Sequence, residues 1–169
     1  TKEEIDFYVK MIKKQGYNAV RWRFTVEEGI LNEKSEVKAE YLDMYDYFLY
    51  ALKREGIYTY FYITSHDVGV PNFDWNDRTT IKMRMMLGDP QIREIWRKWA
   101  IYQLSHVNKY TGVAWKDEPA IATIEYWNEF DLGFGLNRVN AKTKNLLAKK
   151  LREFLKHRYK TIDAFLAYN

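Results

Sequence analysis

The segment Ala120–Leu132, AIATIEYWNEFDL, holds the residues of this chain best suited to chemistry. Strand alternation puts Thr123, Glu125, Trp127 and Glu129 on one face and Ile124, Tyr126 and Asn128 on the other. A carboxylate inside an otherwise apolar strand is costly unless it is paired. Glu125 therefore needs a partner, and Arg21, mid-strand in NAVRWRF, is the matching cation. Such a pair reads first as an interior structural salt bridge and second as part of a polar site. Arg21 and Arg23, then Ser65-His66-Asp67, then Asn128-Glu129 each fall at the end of a strand-like run. His66 with Asp67 could hold a metal ion, but an ordinary loop pair is the simpler reading. His66, His106 and His157 lie on different elements, so no metal centre is expected. Phe73 and Trp75 can serve as stacking platforms or as plain loop packing.

These residues are positioned by alternating elements. Ile5, Tyr8, Met11 and Ile12 fall at helical spacing between Thr1 and Gln15, with Gly16 as the stop. Asn18 to Val26 reads as a strand. Tyr41, Met44, Tyr45, Phe48, Leu49 and Leu52 stripe a second helix ended by Gly56. Ile57 to Thr64 is apolar on both parities, the mark of a strand buried on both faces of a parallel sheet. A long polar connection is expected from Ser65 to Asp89. Asp89-Pro90 then opens a helix, with Asp as cap and Pro in its first turn. Its stripe is Ile92, Ile95, Trp96, Trp99, Gln103 and Val107, and it includes His106. Ala120 to Trp127 is the third strand, and Ala141 to Tyr168 is helical with a break near Lys160 and Thr161 as a new cap.

Strands separated by helices need crossover connections, which predicts a parallel sheet and the α/β class. An open doubly wound sheet and an arc of a barrel both fit this order. No glycine-rich phosphate loop follows any strand, so no nucleotide cofactor is expected. At 169 residues one domain, 1–169, is expected, fewer residues than the roughly 250 of a whole (β/α)8 barrel. The 27 basic and 23 acidic residues are interspersed, which argues against a nucleic-acid partner. No apolar run approaches the roughly 20 residues of a membrane span. The absence of cysteine excludes disulfides and thiolate metal sites. The chain opens on Thr1, which reads as an excision or processing point and leaves localisation unknown.

DEPAIATIEYWNE resembles the fourth barrel strand of clan A glycoside hydrolases, which ends in Asn-Glu. GYNAVRWRF is similar to the second strand of that family, with glycine, asparagine and arginine in the same order. Leu42 to Tyr62 resembles the helix and third strand that follow. LREFLKHRYKTIDAFLAYN resembles the segment after the Asn-Glu strand in family 5-like and β-galactosidase-like members. The resemblance implies a partial (β/α)8 TIM barrel of about three parallel strands with flanking helices, running from the first helix to the fourth.

By the same resemblance, Glu129 is the general acid/base of a retaining β-glycoside hydrolase acting on oligo- or polysaccharides. Asn128 hydrogen-bonds the 2-hydroxyl of the sugar, and Arg21 helps hold the nucleophile ionised. His66 contacts substrate on a looser match, and Trp75 and Trp127 are candidate substrate contacts. Glu125 also has a counterpart acid in many members. The family's nucleophile is a glutamate on the seventh strand, which this chain does not supply in order. The 169 residues alone are therefore expected to be inactive and to self-associate through exposed strand edges. The implied substrate class would suit a parent outside the cell or in the periplasm, with localisation itself left unknown. Two other readings stay open: a non-catalytic carbohydrate-binding protein on a degenerate barrel, and an unrelated α/β domain with structural glutamates.

Overall fold

The computed structural model describes residues 1–23, 36–63, 78–126 and 132–168, apart from the side chains of 22, 23, 132 and 134. Helix α1 (Lys2–Lys14) starts with a capping box, in which Thr1 accepts from the Glu4 amide and the Glu4 side chain reaches back to Thr1. Glu3 and Glu4 lie in its first turn and Lys13 and Lys14 in its last, which complements the helix dipole. It ends at Gly16, whose φ of +84° costs a glycine little. The buried line of α1 is Ile5, Val9 and Ile12, while Tyr8 and Met11 are exposed. The expected stripe is thus rotated by part of a turn.

The order continues with β1 (Ala19–Arg23), α2 (Ala39–Arg54), β2 (Tyr58–Tyr62), α3 (Arg78–Met86), α4 (Pro90–Ser105), β3 (Ile121–Glu125), α5 (Leu132–Leu136), α6 (Ala141–Tyr159) and α7 (Ile162–Leu166). The three strands form one parallel sheet in the order β1-β2-β3. The chain divides into two compact units, Thr1–Val70 with Glu94–Glu129, and Pro71–Arg93 with Phe130–Asn169.

In the first unit, β2 lies between its neighbours, and Thr59, Phe61, Tyr62 and Ile63 are all buried. Phe61, Ile63 and Ile124 pack with Leu49 of α2, Trp99 and Ala100 of α4, and Trp115. A second cluster joins Val9 of α1 to Ala51 and Leu52 of α2, with Ile57 and Val20. Met44, expected in the α2 stripe, is 44% exposed, and Asp46 is buried there instead.

Asp46 anchors the segment between α4 and β3. It accepts from His106 Nε2 (2.9 Å), from Trp115 Nε1 (3.0 Å) and from the Lys109 amide (3.3 Å). Asn108 Nδ2 donates to the Asp46 carbonyl at 2.9 Å. His106 stands one residue past α4, not inside the helix as its sequence suggested. One turn earlier on α2, Asp43 bonds Lys109 and accepts from the Tyr110 hydroxyl. These two partners, with Lys2 further off, hold its carboxyl down to about 2.

In the second unit, α3 occupies part of what reads in the sequence as a polar connection. Asp89 caps α4 as expected, accepting from the amides of Gln91 and Ile92 at 3.0 and 3.2 Å. It also pairs with Arg84 of α3 at 2.7 Å, which fixes the α3–α4 turn. Asn140 caps α6. The break after Tyr159 falls where the sequence places it: Lys160 has φ +62°, and Thr161 caps α7 by accepting from the Ala164 amide.

Candidate active site

Parallel pairing sets Arg21 beside Tyr60, and Tyr60 beside Thr123; one step along, Arg23, Tyr62 and Glu125 form the next row. Phe61 and Ile124 face the helices, so alternation turns Arg21, Tyr60, Tyr62 and Glu125 to the opposite face. There Arg21 reaches diagonally over β2. Its Nε donates to Glu125 Oε2 at 3.0 Å, and its Nη2 donates to Oε2 at 2.7 Å and Oε1 at 2.9 Å. The guanidinium carbon lies 5.6 Å from the centre of the Tyr60 ring, a cation–π contact. The Glu125 side chain is 12% exposed and that of Arg21 49%. The carboxylate that strand alternation left in need of a partner is thus matched by the arginine that spacing had singled out. Glu125 accepts charge-assisted bonds from two guanidinium nitrogens.

The remaining candidates, Asn128, Glu129, Trp127, His66 and Trp75, lie outside the described residues, as do Asp67 and Phe73. The strand that leads to them is described as far as Tyr126, whose ring lies 6.1 Å from that of Trp96 on α4. Trp127 to Glu129 follow Tyr126 in the sequence. Sequence reasoning missed Tyr60 as the ring beneath Arg21. The signal was present, since Tyr60 and Tyr62 share a parity in a strand buried on both faces. Among the described residues, no group of three His, Asp or Glu side chains could hold a metal ion. No described helix is long and apolar enough to cross a membrane.

No protein-family model and no curated protein matches this chain. Solved structures do. The endo-1,4-β-mannanase from Rhizomucor miehei aligns with a TM-score of 0.61 and 16% identity, over 93% of this chain and 49% of that one. An endo-β-1,4-mannanase from Thermotoga petrophila aligns at 0.57 and 20% identity, over 91% of this chain and 36% of that one. The glycoside hydrolase family 5 mannosidase from Rhizomucor miehei aligns at 0.58 and 12% identity, over 73% and 38%. This chain spans no more than about half the length of these structures. Its fold is that of part of a (β/α)8 barrel.

Proposed function

We propose that this chain is the part of a retaining β-glycoside hydrolase barrel that carries the acid/base glutamate, Glu129. The observation supporting this reading is the Arg21–Glu125 clasp on the sheet face turned away from the helices. It gives β1 and β3 the polar inner face of a catalytic barrel. In chain order Asn128-Glu129 follows β3, and such barrels carry their catalytic residues past the C-terminal ends of their strands.

In this reading Glu129 protonates the departing glycosidic oxygen and afterwards takes a proton from the attacking water. Asn128 holds the 2-hydroxyl, Arg21 lends positive charge to the inner face, and Trp127, Trp75 and His66 border the sugar. Retention needs a second, ionised carboxylate about 5–5.5 Å away, with the two environments pushing their pKa values apart. That nucleophile belongs to a later strand of the barrel, so the 169 residues alone should not hydrolyse glycosides. Their open β1 and β3 edges should pair with another chain or with the rest of a barrel. The substrate is a β-linked oligo- or polysaccharide, and β-mannan is the first to try because the similar structures are mannanases and mannosidases.

The test is Glu129→Gln in the full-length barrel protein. kcat on a natural β-glycan should fall by about 10²–10⁴-fold while sugar binding persists. Undiminished turnover would remove Glu129 from the mechanism, and loss of binding with turnover intact per bound substrate would make it a binding residue only.

A further inference from the structure

A cavity of about 250 Å³ opens where β2 and β3 begin, at the other end of the strands from Tyr126. It is lined by Lys53, Gly56, Ile57, Tyr58, Pro119 and Ala120. About 150 Å³ is enough to admit benzene, so this space suits one substituted six-membered ring. Buried Ile57 supplies an apolar wall, and Tyr58, 54% exposed, offers aromatic surface in the same lining as Pro119. The one charged residue of the lining, Lys53, is neutralised. Its Nζ donates to Glu118 Oε2 at 3.2 Å and lies 2.9 Å from Oε1, and Glu118 Oε1 also accepts from the Ala120 amide at 3.1 Å. An ion entering the cavity would therefore lose hydration without meeting an uncompensated opposite charge. Polar groups remain for a neutral ligand. An ammonium carries three donors, and the two oxygens of Glu118 engage two of those on Lys53. The carbonyls of Gly56 and Pro119 accept no hydrogen bond from the described residues.

A ring-sized cavity with an aromatic wall, no net charge and a few hydrogen-bonding groups suits a particular ligand chemistry. We propose that it binds one pyranose unit of a neutral saccharide. The apolar C–H face of the sugar lies against the Tyr58 ring. Its hydroxyls, which both donate and accept, meet the Lys53 ammonium and the carbonyls of Gly56 and Pro119. The Lys53–Glu118 pair is neutral in sum, so binding does not depend on ligand charge. This proposal is independent of the role given to Glu129.

The experiment is an NMR titration of the isotope-labelled full chain with methyl β-glucoside, cyclohexanol and inorganic phosphate, at low and at physiological salt. Saturable shifts of the Gly56, Tyr58 and Ala120 amides are expected with methyl β-glucoside, at an affinity that salt leaves unchanged. Cyclohexanol, a ring with a single hydroxyl, should bind more weakly, and phosphate should cause no saturable shift. Tyr58→Ala, a change at an exposed side chain, should weaken binding roughly tenfold, whereas Tyr58→Phe, which keeps the ring, should bind as the wild type does. No saturable shift at these amides, or equal affinity in Tyr58→Ala, overturns the site. Glucoside shifts confined to the Tyr126 amide, at the far end of β3, also overturn it and leave the role of Glu129 untouched. Cyclohexanol binding as tightly as the glucoside overturns the saccharide class, and saturable phosphate binding overturns the neutral one.

Discussion

Arg21 on β1 and Glu125 on β3 are joined across β2, through Nε to Oε2 at 3.0 Å and Nη2 to Oε2 at 2.7 Å, over the face of Tyr60. The pair couples two strands that lie on either side of β2. Because Arg21 stays half exposed, solvent screens part of the attraction, and a double-mutant cycle should return about 1 kcal/mol. Arg21→Ala should cost more than Glu125→Ala, since it strands the more buried partner. Urea unfolding of both single variants and the double variant measures this; a coupling of zero would show the clasp to be incidental.

Asp46 carries a larger share of stability. Its carboxylate collects His106, Trp115 and the Lys109 amide at a site only 2% exposed. Asp46→Ala leaves the buried indole N–H and the other donors without their acceptor, and should cost about 2–4 kcal/mol in urea unfolding.

Asp43 makes stability depend on pH in the acid range. Its folded pKa of about 2 lies below the ordinary 3.8, held there by Lys109 and Tyr110. A depressed carboxylate stabilises the fold above its unfolded value, and that contribution disappears as pH falls through the folded one. The Tm difference between the wild type and Asp43→Asn should therefore be full at pH 5 and shrink toward zero as pH approaches 2. A difference that stays constant from pH 5 to 2 would contradict it.

Gly16 closes α1 at φ +84°, and the space a Cβ would take there has no neighbouring atom within 4 Å. Gly16→Ala should thus cost about 1 kcal/mol through backbone conformation alone, with no steric contribution. Thermal unfolding measures it, and a neutral result would mean the turn relaxes.

Much of this architecture is legible in the residues because local and tertiary signals agree. The caps at Asp89 and Thr161, the stops at Gly16 and Gly56, and the Arg21–Glu125 pairing all follow from chemistry at fixed spacing. Where they disagree, the sequence misleads. Helix α3, RTTIKMRMM, carries no apolar stripe, so it reads as connection. Helix α5, LGFGL, contains two glycines, poor helix formers, so its sequence does not read as a helix. In α1 the exposed Tyr8 and Met11 imitate a core face. Asp46 could have been found, since it sits four residues after Leu42 and three before Leu49, a core position that only a satisfied carboxylate can occupy.

Azide rescue of Glu129→Ala in the full-length barrel, on an aryl β-glycoside with a good leaving group, tests the proposed function most directly. That leaving group departs without an acid, so the glycosyl-enzyme should form and then stall for want of a base. Azide needs no base, and the account predicts that it restores turnover and releases the β-glycosyl azide. Wild-type hydrolysis by the variant, or release of the α-glycosyl azide, would contradict a retaining mechanism with Glu129 as its acid/base.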